Sequence, residues 1–292
     1  MAISHTLTLA RLRSEALLEP LREAQAYIRA HPDQPLVPTP SPEQRELEAR
    51  ILKALRSLFQ TDRREYSGQD RLVPLGIDAG RNHLTLTVAQ RQLASDLCAL
   101  FPAWDRDGDF AEGIPRLRAR AHADSTGVTL FCLGGDVEVT FVGLSLSELE
   151  AERERYLRNE GLVGARPRDS MLAGEFDVHL PDRPEFIALS AVVRRLGVFL
   201  SANPFAVDVW ITAGTLHLEL VVPADEPLPL PKLLERLQSP HFEPRLTLVR
   251  VLDIHHYLAI EGSTVEVNVR THVRSSAGSC RTLFGHAGVA QI

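Results

Sequence analysis

Three short glycine turns constrain this chain most. Leu133-Gly134-Gly135-Asp136, Thr212-Ala213-Gly214-Thr215 and Ile260-Glu261-Gly262-Ser263 each join two runs in which apolar and polar residues alternate. Two-residue loops containing Gly favour the turns whose twist matches that of the flanking strands. Alternation with period two gives each strand one core face and one outer face. Such a chain builds antiparallel sheets, and the turns decide which side chains become neighbours.

The first of these turns belongs to a meander, Arg116–Ala123, Val128–Leu133 and Asp136–Val142. In that register Leu117, Ala119, Ala121, Val128, Leu130, Cys132, Val137, Val139 and Phe141 share the core face. Strands are also expected at Arg71–Ile77 and His83–Val88, with a helix over Ala89–Phe101. Ser145 with Glu148 reads as a capping box opening a charged helix that stops at Gly161. From Glu175 onward the order is a strand at Phe176–Leu180, a helix carrying Phe186, Leu189, Val193, Leu196 and Leu200, the hairpin Ala206–Ile211 with Leu216–Val222, a short helix near Lys232–Leu237, and a long hairpin, Leu246–Ile260 with Thr264–Val273. This is the ferredoxin-like, split-βαβ succession. His83 to Arg158 shows a looser version, which suggests an internal repeat. The expected class is α+β, with antiparallel sheets and packed helices, ferredoxin-like in the C-terminal half.

Before these sheets lies a helical stretch from Thr8 to Ala30, interrupted by Pro20, then the prolines 32, 35, 38, 40 and 42. Ser41-Pro42-Glu43-Gln44 reads as a helix start with a capping box. Three regions are therefore expected: a helical arm and linker over residues 1–40, an α+β domain over 41–165, and a second over 166–292. The arm reads as an αα-hairpin packed at home or, less favoured, as a docking arm. The linker argues that few contacts cross it, so the remainder is expected to fold without the arm.

The chain has 292 residues and a net charge of −6, ample for a core and unlike a generally basic nucleic-acid binder. Its 3 cysteines form no metal-ligand spacing and no disulfide framework. No signal-like apolar run opens the sequence, and none is long enough for a bilayer, so a reducing cytoplasm is the expected setting and no membrane partner is expected.

Candidate sites follow from the faces. With Glu261-Gly262 as the turn, Tyr257 faces Glu266, His255 faces Asn268 and Asp253 faces Arg270, with His272 beyond. Asp253, His255, Tyr257, Glu266, Asn268, Arg270 and His272 are thus a candidate ligand-binding set, suited to acid–base chemistry on an anionic ester. The alternative is a solvated sheet face, which the spacing favours. On that reading Asn268→Asp is tolerated and Val267→Asp is not. Folding back of the segment after Arg274 would wall the site. Arg116, Arg118, Arg120 and His122 form a candidate polyanion stripe, with Phe131 for stacking, but Asp136 and Glu138 oppose it. Asp208 opposite Glu219, with His217, suggests a metal only weakly, and Asp105-Arg106-Asp107-Gly108-Asp109 lacks the closing Glu of a calcium loop.

Gly76-Ile77-Asp78-Ala79-Gly80, with Leu84, Leu86 and Val88 after it, resembles the first phosphate-binding hairpin of the actin and sugar-kinase ATPase superfamily. The second Asp-x-Gly loop of that family is absent, so the similarity is set aside as chance. No metal and no cofactor is implied, and no catalytic residue is assigned. The expected function is a non-enzymatic binding or assembly protein acting through protein–protein contacts or self-association. The alternative is a nucleic-acid- or phosphate-ligand-binding protein or enzyme using the polar face of the last hairpin.

Overall fold

A computed structural model describes residues 2–54, 57–60, 74–88, 93–123, 127–175, 183–200, 206–212, 214–223 and 230–274. Its elements run α1 (Ala2–Leu17), α2 (Leu21–Ala30), α3 (Pro42–Ala54), β1 (Ser57–Gln60), β2 (Pro74–Ala79), β3 (His83–Val88), α4 (Leu93–Cys98), β4 (Ala103–Trp104), β5 (Phe110–Glu112), β6 (Leu117–Ala121), β7 (Gly127–Cys132), β8 (Glu138–Val142), α5 (Leu146–Glu160) and β9 (Val163–Gly164). They continue as α6 (Glu185–Val193), α7 (Leu196–Leu200), β10 (Ala206–Thr212), β11 (Thr215–Pro223), α8 (Leu230–Leu237), β12 (Leu246–Leu252), β13 (His255–Ile260) and β14 (Glu266–Arg274). The expected strand Phe176–Leu180, residues 89–92 of the expected helix and the segment after Arg274 lie outside the described residues.

The chain is α+β, with mostly antiparallel sheets. Among the described residues the five-stranded sheet has the order β2-β3-β8-β7-β6 and the six-stranded sheet the order β1-β10-β11-β14-β13-β12. The β4, β5 and β9 segments form a small third sheet. A split-βαβ order is not what the C-terminal half adopts. The second neighbour of β11 is β14, which runs parallel to it. The reason is a turn without glycine. Asp253, at φ 56°, and Ile254 reverse the chain, and Leu252 pairs with His255. The stretch expected as one long strand is therefore two, β12 and β13. Asp is among the few residues that tolerate the left-handed region.

With that turn the two halves match. In each, a hairpin (β2-β3 or β10-β11) is followed by a three-stranded meander (β6-β7-β8 or β12-β13-β14), whose last strand returns to lie parallel to the second strand of the hairpin. The repeat is one of topology. β1, from the N-terminal half, extends the six-stranded sheet beyond β10.

Core faces follow the alternation. Leu84, Leu86, Leu117, Val128, Leu130, Val139 and Phe141 are buried in one sheet, and Leu216, Leu218, Leu220, Leu258, Val267 and Val269 in the other. Leu252 and Ile254 are exposed, and so is Ala121, which the alternation placed on the core face. The helix expected from Glu185 to Leu200 breaks at Arg194-Arg195 into α6 and α7. Arg194 turns into a buried cluster. It donates to Glu48 of α3 at 2.5 Å and to the carbonyls of Pro38 and Gly80, while the Ser190 hydroxyl donates to Glu48 at 2.6 Å. Gln44 exchanges hydrogen bonds with the Glu138 backbone instead of closing a capping box, and the cluster ties α3 to both α6 and β8.

The α1–α2 pair packs on the body. Ala10, Ala16, Leu17, Ala24 and Ile28 are buried, as are Leu36 and Val37 of the proline-rich linker. A Cβ on Gly197 would lie 1.9 Å from the Glu15 carbonyl oxygen, so the α1 backbone rests directly on α7. Removing residues before Ser41 would expose this core, contrary to the expected independence of the remainder.

Candidate functional site

The polar face of the six-stranded sheet holds most of the expected set, in a different register. The β13–β14 loop is longer than two residues. Tyr257 therefore pairs with Asn268, His255 with Arg270 and Ala259 with Glu266. A displacement by two keeps every residue on its face. Asp253 leaves the set, because it sits exposed in the β12–β13 turn. His272 continues along β14, opposite Val221.

Register now places Trp210, His217, Asn268, Tyr257 and Arg250 in one row across five strands. Trp210 stacks on His217 with ring centroids 5.1 Å apart, and the Arg250 guanidinium lies 4.1 Å from the Tyr257 ring centroid. Asn268 is only 1% exposed. Its amide nitrogen donates to Nδ1 of His217 at 3.1 Å and to Nδ1 of His255 at 3.0 Å. Burial pushes the His217 pKa below its ordinary value, and Arg270 and His255 add to the shift. Asn268 is therefore the buried tie of this face, not an outlying surface residue that tolerates a carboxylate.

The charges on this face are largely spent on each other. Arg270 donates to Glu219 at 2.6 Å and stands over Trp210, and Arg250 donates to Glu266 at 2.5 Å. Asp208 does pair with Glu219 in the backbone register, and Arg270 relieves the carboxylate of Glu219. Among the described residues no group of three or more His, Cys, Asp and Glu could hold a metal ion.

The arginine stripe on the five-stranded sheet is dismantled in a similar way. Arg116 precedes β6 at φ 65° and is exposed. Arg118 is 1% exposed and pairs with the buried carboxylate of Glu175 at 2.5 Å. Burial pushes the Glu175 carboxyl up, but Arg118 and the backbone N–H groups of Leu172 and Arg116 outweigh it and hold the carboxyl below the usual range. Arg120 pairs with Glu138 and stacks on Phe131, while His122 contacts Thr129. Arg116 apart, the stripe offers a polyanion few uncommitted cations. Asp105 accepts from the N–H groups of Asp107 and Asp109, so that acidic segment is a turn closed on itself. Burial pushes both Cys98 and Cys132 up to about 11, which keeps them protonated thiols at neutral pH.

The feature that face-by-face reading missed is an edge. β12 ends the six-stranded sheet, and Val249, Val251, Leu252 and Ile254 on it and its turn are 45–55% exposed. Beside it a groove opens against α8, lined by Leu234, Glu235, Gln238, Leu248, Val251 and His256. The signal lay in the run Leu246–Ile254, which is more apolar than a half-buried strand requires.

At the matching edge of the five-stranded sheet, β6 is covered. The N–H of Ala119 donates to the Pro167 carbonyl at 2.7 Å, and Arg118 donates to the carbonyls of Asp169 and Ser170. No protein-family model, no curated protein and no solved structure matches this chain.

Proposed function

We propose that this chain is a non-enzymatic binding protein that works through protein–protein contacts, and that its partner polypeptide adds to the β12 edge. One observation carries the reading: four large apolar side chains stand half-exposed together at an edge that no described residue covers with a strand. Unpaired edges recruit extended segments, because main-chain hydrogen bonds supply affinity and flanking pockets supply selectivity. The polar face of the same sheet supports an anionic ligand less well, since Arg250 and Arg270 are already engaged by Glu266 and Glu219. Cys98 and Cys132 are free thiols, which suits a reducing compartment. Among the described residues no helix is long and apolar enough to cross a membrane.

Selection of displayed random peptides on the full chain tests this. Selected peptides are expected to bind a Val249→Lys, Val251→Lys variant about tenfold or more weakly, a loss of about 1.4 kcal/mol. The melting curve of that variant should stay unchanged, because both side chains are already solvated. Equal binding to both proteins, or no selection at all, overturns the proposal.

A further inference from the structure

The two sheets can be aligned residue by residue from their registers. β3 runs parallel to β8 with His83 opposite Glu138, and β11 runs parallel to β14 with Thr215 opposite Glu266. Carried outward through the next two strands, Phe131 corresponds to Ala259, Leu130 to Leu258, and Ala119 to Leu248. An independent contact checks the alignment. The ion pair Arg120–Glu138 recurs at corresponding positions as Arg250–Glu266.

Ala119 and Leu248 are therefore the same position on two edges. The Ala119 N–H is taken by the backbone carbonyl of Pro167, in a turn that the Asp169 N–H closes on the Arg166 carbonyl. The Leu248 N–H is taken at 2.8 Å by a side chain, the amide oxygen of Gln238 just beyond α8. A glutamine oxygen there occupies the place of a backbone carbonyl. The segment over β6 is also held by charge. Arg166 and Arg168, either side of Pro167, pair at 2.6 Å with Glu154 and Glu150 of α5, the helix beside that edge. Beside β12 the bordering helix is α8, and it presents Glu235 to the groove, exposed and without an ion pair among the described residues.

We propose that the occupant of the β12 edge is an extended polypeptide segment that carries basic side chains. Its backbone carbonyl replaces Gln238 at the Leu248 N–H, and one of its basic groups pairs with Glu235. The stem of that basic side chain lies along Leu234 and Val251, as long cationic side chains do on apolar surface. This rests on the reading of β12 as the partner edge.

The test uses the full chain with the peptide acetyl-(Val-Arg)4-Val-amide and its glutamate counterpart, followed by fluorescence anisotropy and backbone hydrogen exchange. The arginine peptide is expected to bind, to slow exchange at Leu248 and over Val249–Leu252, and to lose about tenfold in affinity in Glu235→Lys, while the glutamate peptide gains. Gln238→Ala should tighten binding, because the competing side chain is gone; a purely structural Gln238 would predict the reverse. Two results overturn this inference and leave the edge reading standing: equal protection of β12 by both peptides, or no tightening in Gln238→Ala. Absence of protection at β12 with either peptide overturns both. Concentration-dependent protection of Leu248–Leu252 in the free chain identifies a second copy as the occupant and overturns the basic-segment proposal.

Discussion

Around Glu138 and around Glu266 the chain builds one arrangement twice. An arginine on the outer strand pairs with a glutamate on the returning strand, and a ring lies under the guanidinium, Phe131 in one case and Tyr257 in the other. The two surroundings differ. In the five-stranded sheet the neighbour of this pair is Arg118, buried against Glu175, with the chain between them drawn across β6. In the six-stranded sheet the corresponding residue is Thr247, and no strand among the described residues covers that edge. One topology thus supports a closed edge or an open one. The choice is made by the segment that crosses the edge strand, not by the sheet itself.

The largest effect is expected where the closed edge is locked. Glu175→Ala strands a guanidinium in the interior and should cost about 3–5 kcal/mol, read from urea midpoints. If the loss is below about 1 kcal/mol, the Arg118 pair is not what closes β6, and the contrast between the edges fails. The six-stranded sheet has a neutral counterpart to that lock. Asn268→Leu removes both donors to the histidines and should cost about 1–3 kcal/mol. Thr140, the corresponding residue, shares one side-chain hydrogen bond with Thr129 among the described residues, so Thr140→Val should cost less.

Acid should separate the two sheets further. The His217 pKa is held down by burial, Arg270 and His255, with Glu219, Trp210 and Asn268 also against this part of the face. A depressed histidine contributes stability that is present above about pH 6.5 and lost as pH falls through its folded value. Glu175, also depressed, keeps its contribution until pH reaches the carboxylate range and then loses it. Urea midpoints should therefore fall between about pH 7 and pH 5, and fall less in His217→Gln. Equal slopes in both proteins would remove His217 from the account. The smallest effects belong to the repeated ion pair. Arg120→Ala and Arg250→Ala should each cost less than about 1 kcal/mol and by similar amounts, as expected for half-exposed pairs. A clear inequality would show that the two copies are not equivalent.

What could be read from the sequence came from turn chemistry. Gly134-Gly135 sit where a two-residue loop places them and Thr212 pairs with Thr215 as expected, and the pairings of Leu130 with Val139 and of Trp210 with His217 result. At Glu261-Gly262 the loop is longer, stabilised by Ser263, whose N–H donates to the Ile260 carbonyl and whose hydroxyl accepts from the Val265 N–H. The pairing partners moved, but the faces survived. Asp253-Ile254 carried no glycine, so the turn that creates β12 had no local signature. The ion pair of Arg118 joins residues 57 apart, and alternation alone assigned it to a solvated face. Periodicity identifies faces. It carries no information about which loop will later cover them.

The bulge in β12, where the register slips between Leu248 and Arg250, has a consequence for concentration as well as for recognition. A straight unpaired edge is a template: the strand that docks on it offers a fresh edge of its own, and addition can continue without limit. A kinked edge interrupts that regular ladder. An incoming segment must bend with the strand to stay paired past Val249, so a short segment can follow the edge where a long regular ladder cannot. The half-exposed Val249 and Val251 are thereby less able to seed a fibril, and the protein should stay dispersed at concentrations where a flat strand of this composition would not.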